Sequence, residues 1–245
     1  MDDETARALN ALNVAFYTDH AEAFSARRTR PWRGWSRLLA RLPQTPLSVL
    51  DVGCGNGRFG RFLAGERRLA RYQGVDVSAP LLEIARRDPP AAASVGWRRA
   101  DFVASPDAAL PGPPFDLVVL FGVLHGVPGE ARRRALVEAC VGALAPGGLL
   151  AFTCWRFARD PRIAGRLDRP EAWPPGIDAT RLGPGDHLLP WGDEGRLHRY
   201  VADVDAAERE RLLAGLPLER MAEFHEDGTG GDLNHYTLAR RTRSG

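Results

Sequence analysis

The stretch Val49-Leu50-Asp51-Val52-Gly53-Cys54-Gly55-Asn56-Gly57-Arg58-Phe59-Gly60 decides the fold. A short apolar run, Ser48–Val52, stops at Gly53, and a helical pattern follows over Arg58–Ala64. Glycines between a strand and a helix let the backbone pass close to a bound ligand. Gly55, Gly57 and Gly60 fit G-x-G-x-x-G, a spacing that nicotinamide dinucleotide loops share, so the spacing alone leaves the ligand open.

Outward from that loop the chain alternates strand and helix. Strand patterns cover Tyr72–Val77, Val95–Ala100, Phe115–Phe121 and Leu149–Trp155, and helical patterns cover Pro80–Arg87 and Glu130–Leu144, the latter closed by Pro146-Gly147-Gly148. This rhythm predicts an α/β, Rossmann-like fold: a mostly parallel sheet with helices on both faces. Before it, residues 4–24 read as a helix and Pro31 starts another. After it, 156–200 is rich in Pro, Gly and Asp and too long for a plain connection. A helix at Ala206–Leu213 and two strands near Arg220–His225 and Leu233–Ala239 finish the chain, with 226–232 as a hairpin turn. The chain divides into an N-terminal helical cap (1–44), a ligand-binding core (45–155), an insertion or lid (156–205) and a C-terminal helix with an antiparallel hairpin (206–245).

Three acids at strand ends narrow the ligand. Asp51 precedes the glycines, Asp76 ends the second strand, and Asp101 follows the third in Arg99-Ala100-Asp101-Phe102. A carboxylate at Asp51 would repel a pyrophosphate but suits a cationic ligand. Asp76 suits a ribose diol and Asp101 an exocyclic adenine amine. An amine, a ribose, an adenine and a sulfonium together describe S-adenosyl-L-methionine.

The core resembles class I S-adenosylmethionine-dependent methyltransferases over about residues 45–155. The matching segments are Asp51–Gly57, Gly74-Val75-Asp76-Val77-Ser78, Ala100-Asp101-Phe102, Phe115-Asp116-Leu117-Val118 and Leu144-Ala145-Pro146-Gly147-Gly148. The resemblance implies a seven-stranded sheet whose last strand is antiparallel, with the donor across the C-terminal ends of strands one, two and four. It places Asp51, Gly53, Cys54, Gly55, Asn56 and Gly57 against the methionine part, Asp76 and Val77 at the ribose, and Asp101, Phe102 and Phe121 around the remainder, with S-adenosylhomocysteine as product.

Outside the core the chain resembles tRNA methyltransferases that esterify 5-carboxymethyluridine at the wobble position. Phe24-Ser25-Ala26-Arg27-Arg28-Thr29-Arg30-Pro31-Trp32, Val123-Leu124-His125, Gly185-Asp186-His187-Leu188-Leu189-Pro190-Trp191 and Arg199-Tyr200 carry that likeness. Gly126 stands where those enzymes have a second histidine. The likeness implies an anionic acceptor, a modified uridine in tRNA being the specific candidate. Arg28, Arg30 and His125 would face it. A small zinc-binding activator subunit accompanies some of those enzymes; nothing in this chain indicates one. The alternative is a small-molecule O- or N-methyltransferase in which the arginines need not face outward. A non-catalytic donor-binding subunit and a nicotinamide-dependent oxidoreductase are further alternatives, the latter disfavoured by Asp51 and Asp101.

Composition sets the bounds. All 33 basic residues are arginine, so no mechanism needing a lysine amine is open. The net charge of +2 argues against a protein that coats nucleic acid, yet Arg27, Arg28, Arg30, Arg33, Arg37 and Arg41 fall in a segment without a single acid from Ala23 to Leu50. A carboxylate acceptor is already ionised at neutral pH and needs cations and alignment rather than a base; an amine or phenol would want a base, with His125 the candidate. Trp32 and Trp35 serve packing and stacking equally well, whereas Trp155 and Trp191 read as core or lid. Cys54, Cys140 and Cys154 lack metal spacing, and the acidic N-terminus is no secretory signal. The expectation is a cytoplasmic chain with no metal and no membrane segment.

Overall fold

The computed structural model describes residues 1–111, 114–167, 177–191 and 197–242. Residues 168–176 and 192–196 of the expected insertion, and 243–245 at the C-terminus, lie outside the described residues.

Seven strands form one sheet. In chain order they are β1 (Leu47–Val52), β2 (Leu69–Asp76), β3 (Ser94–Arg99), β4 (Phe115–Leu120), β5 (Leu144–Trp155), β8 (Leu218–Glu226) and β9 (Asn234–Arg241). They are ordered β3-β2-β1-β4-β5-β9-β8. The first five are parallel and β9 runs antiparallel to both neighbours, as the sequence predicts. β1 and β4 are almost wholly buried because both faces are covered, which explains their unbroken Val/Leu runs. The strand order reverses at β1, between β2 and β4. Open α/β sheets bind ligands in the crevice at such a switch point, beyond the carboxyl ends of the strands.

Each face carries its own apolar layer. One joins Leu9, Leu120, Leu136, Phe152, Tyr200 and Leu212; the other joins Trp35, Leu38, Phe59, Tyr72, Leu117 and Tyr236. The α-helices of the described residues are α1 (Asp3–Asp19), α2 (Ala21–Ala26), α3 (Arg33–Leu39), α4 (Arg58–Gly65), α5 (Ala79–Arg87), α6 (Pro106–Ala109), α7 (Glu130–Gly142), α8 (Pro161–Ala164) and α9 (Ala206–Leu213).

Three local readings need correction. The helix expected over 4–24 is two helices, α1 and α2, because His20 leaves helical geometry at φ −115°, ψ 22°. That break sets the His20 ring 5.6 Å from Trp191, beside Phe16 at 5.3 Å. The helix expected to Leu144 stops at Gly142, since Leu144 already pairs with Phe115 and β5 begins there. The Pro-Gly-Gly element therefore lies inside β5, absorbed where the ladder shifts register between Phe115 and Leu117. Finally, the segment read as irregular contains an antiparallel pair, β6 (Asp186–Trp191) with β7 (Leu197–Ala202). β7 lies against α1, so the N-terminal helices and the insertion meet over the carboxyl ends of the sheet.

Candidate functional site

A cavity of about 800 Å³ opens at the switch point. Its floor is the loop after β1. Gly57 adopts φ 75° at the N-cap of α4 and packs on Trp97, where a Cβ would come within 2.7 Å of the ring. It shapes the loop without lining the cavity. Gly55, at φ 54°, has no atom within 4 Å of a would-be Cβ, so its backbone faces open space. Gly53, Cys54, Gly55 and Asn56 all line the cavity, as do Val77, Phe102 and Phe121.

The acids sit as the strand ends dictate. Asp51 is buried and accepts from the Tyr72 hydroxyl at 2.6 Å. Burial pushes its carboxyl up to about 7; the Tyr72 hydrogen bond opposes this and nearby Asp76 adds to it. Asp76, 6% exposed, accepts from the backbone N–H of Gly55 at 2.8 Å and of Ser78 at 2.9 Å. Burial raises its pKa against these bonds. Asp101 is differently placed. One oxygen accepts from the N–H groups of Val103 and Ala104, and the other from Asn10 Nδ2 at 2.8 Å. Asn10 lines the cavity and Asp101 does not, so the carboxylate meets it only through that amide.

The opposite wall is cationic. Arg28 lies over the Phe24 ring at 3.4 Å and donates to the Phe24 carbonyl at 3.2 Å. Asn56 of the glycine loop donates to the Arg28 carbonyl, which ties the two walls together. Burial and the Arg199 charge lower the Arg28 guanidinium to about 10. Arg30 is exposed; its carbonyl accepts from Arg58 at 2.7 Å. His125, on a single 3₁₀ turn after β4, is buried edge-on to Trp155 at 5.1 Å. Burial, with Arg199 and Arg28 adding, drives its imidazole down to about 3. It is a neutral ring near neutral pH and a poor general base there.

The sequence reading missed several lining residues: Asn13 and Tyr17 of α1, Arg199 of β7, and Asp227 of the β8–β9 turn. Trp155 and Trp191, read as core or lid, line the cavity too. The Arg199-Tyr200 pair was visible as a motif, but nothing local marks where β7 docks. Asp227 is buried at φ 70° and accepts from Gly34 N–H at 3.1 Å, Asn234 at 2.9 Å and the Tyr236 hydroxyl at 2.6 Å. It fastens the start of α3 to the last strand.

This geometry and the comparisons agree on the class. A methyltransferase domain model matches residues 50–150. An uncharacterized methyltransferase of Mycobacterium tuberculosis is 33% identical over 199 residues, covering 78% of this chain and 92% of the relative. The chain belongs to the class I S-adenosylmethionine-dependent methyltransferases. Within that class it is 34% identical over 165 residues to a trans-aconitate 2-methyltransferase of Streptomyces avermitilis, covering 66% of this chain and 54% of that protein. The chain spans about half the length of the trans-aconitate methyltransferases it matches. Among solved structures, a 1,6-didemethyltoxoflavin-N1-methyltransferase of Burkholderia thailandensis superposes with TM-score 0.63 at 17% identity, covering 97% of this chain and 90% of that one, which speaks for the fold.

Among the described residues no group of His, Cys, Asp or Glu could hold a metal, and no helix is long and apolar enough to cross a membrane.

Proposed function

We propose that the protein transfers a methyl group to a carboxylate oxygen of a small organic acid. The carrying observation is the wall formed by Arg28, Arg199 and a neutral His125, where neither arginine is ion-paired with an acid among the described residues. A cluster of desolvated cations calls for an anion. His125, a poor base near neutral pH, suits an acceptor that is already ionised. The relatives named trans-aconitate 2-methyltransferases support the same chemistry.

The donor wall fits its ligand. Asp51 would face the donor's ammonium, Asp76 its ribose hydroxyls, and Asn10, held by Asp101, its adenine edge. Gly55 leaves room for close backbone approach. Bound S-adenosylmethionine supplies a methyl on a sulfonium, so an attacking carboxylate oxygen forms the O–C bond while the S–C pair stays on sulfur and no proton moves. The chain's own work is alignment and exclusion of water.

A tRNA acceptor, which the sequence resemblance implies, is the second reading. The arginine segment does not support it well. Arg28 turns inward, Arg27 lies over Trp191 at 5.1 Å, and Arg33 and Arg37 reach Glu226 at 3.9 and 3.7 Å. Arg27, Arg28, Arg30 and Arg33 line the cavity, and the exposed Arg33 and Arg37 are shared with Glu226. Methyl-labelled donor offered with small polycarboxylic acids and, separately, with bulk tRNA separates the readings. Label in the acids is expected; label in tRNA alone would reverse the proposal.

Donor binding should depend on pH through Asp51. Its folded pKa, about 7, lies above the ordinary carboxyl value. Ionising it therefore costs the ligand-free fold nothing below about pH 4, progressively more up to pH 7, and a constant amount above. The donor's ammonium needs the ionised form. Affinity for S-adenosylhomocysteine should rise about tenfold from pH 6 to 8, following the ionised fraction. Calorimetry in buffers of different ionisation enthalpy should show proton release near pH 7, and Asp51→Asn should abolish both effects. A flat profile in the unsubstituted protein would remove Asp51 from the ammonium site.

A further inference from the structure

Arg68, Arg133 and Arg199 are the buried arginines among the described residues. Arg68 donates to the Pro43 carbonyl. Arg133 is paired with Glu208 and also donates to the Val127 carbonyl. Arg199 is 6% exposed; its Nη1 donates to the Tyr17 hydroxyl at 3.2 Å, and its Nε has no partner among the described residues. Its guanidinium sits over Trp155 at 5.2 Å and near Phe16 at 5.6 Å. His125, also 6% exposed, leaves Nδ1 unpartnered on the same wall. Two polar side chains of the cavity lining are thus more than nine-tenths buried, each with one nitrogen that has no partner among the described residues.

The placement is built. Asn13 donates through Nδ2 to the carbonyls of Gly126 at 2.9 Å and Tyr200 at 3.1 Å, and its Oδ1 accepts from Tyr200 N–H at 2.9 Å. One buried amide thereby fixes the residue after His125 and the residue after Arg199 together. Such a complete set of bonds costs little in the fold and holds the wall in one geometry.

A guanidinium gripping the reacting carboxylate would work against the reaction. That oxygen loses its negative charge as the ester forms, so a cation on it stabilises the starting state more than the transition state. A cation on a carboxylate that keeps its charge carries no such penalty. Resting on the reading of the site as a carboxylate methyltransferase, we propose that Arg199 recognises a second, non-reacting carboxylate of the acceptor, with Asn13 as its positioning residue. Arg199 of β7 then selects for acids with two or more carboxylates.

The test titrates the protein saturated with S-adenosylhomocysteine with propane-1,2,3-tricarboxylate and with butyrate. The unsubstituted protein should bind the tricarboxylate at least about thirtyfold more tightly, the scale of a desolvated charge pair. Arg199→Gln should cut that ratio to about threefold or less, leave S-adenosylhomocysteine affinity unchanged, and be partly rescued by Arg199→Lys. Asn13→Ala should lower the ratio with donor affinity again intact. A ratio retained in Arg199→Gln, a wild-type protein that does not prefer the tricarboxylate, or a parallel loss of donor affinity would overturn the proposal. Failure of the underlying reading shows separately, as absence of any methyl ester when labelled donor is supplied.

Discussion

Asp76→Ala is expected to weaken S-adenosylhomocysteine binding at least tenfold, about 1.4 kcal/mol or more. The buried carboxylate already accepts from Gly55 and Ser78 and keeps lone pairs for two ribose hydroxyls. Hydrogen bonds to a charged group contribute about 1.5–3 kcal/mol each. Alanine removes those and also orphans the Gly55 N–H that shapes the loop. Asp76→Asn should fall between, since its one carbonyl oxygen can serve only part of the set. Calorimetry decides it: unchanged affinity in Asp76→Ala would place the ribose elsewhere.

The second large effect is on stability. Asp227→Ala should lower the unfolding free energy by about 2–4 kcal/mol, because it strands buried donors on Gly34, Asn234 and Tyr236. For a chain of this size that corresponds to a Tm drop of roughly 5–15 °C. Asp227→Gly relaxes the left-handed backbone at φ 70° but strands the same donors, so it should remain well below the unsubstituted protein. A Tm within a degree or two of the parent for both variants would show that the clasp between α3 and β9 contributes little.

These sites differ in how readable they are from sequence. The β1–glycine loop–α4 unit and Asp76 are local: a strand, a turn and a helix start within a few residues, and the chemistry follows from spacing. The parallel part of the sheet follows from the same alternation, while the count of seven strands with an antiparallel last one comes through the family resemblance and the strand order only from the structure. Asp101 is legible as a strand-end acid, but the direct adenine contact expected of it is replaced by a bond to Asn10 of the N-terminal helix, which no local pattern encodes. The Asp227 hairpin looked like a plain turn because its function is to accept from Gly34, nearly the whole chain away. Arg199 lies in a segment whose periodicity is too short to announce a strand, and its burial arises only when β7 docks on α1. The arginine-rich segment announced an anion, not its size. In the proposed function it is the lining by Trp155, Trp191 and Arg199 that favours a small acid over a polyanion.

The central claim is that the methyl group ends on a carboxylate oxygen of a small molecule. The most direct measurement supplies the purified protein with methyl-labelled donor and the small-molecule filtrate of a cell extract, isolates the labelled product, and treats it with mild alkali. A methyl ester releases its label as methanol, and that is the predicted result. Label that survives alkali, as on nitrogen or a phenol oxygen, or label found only with macromolecules, would contradict the account.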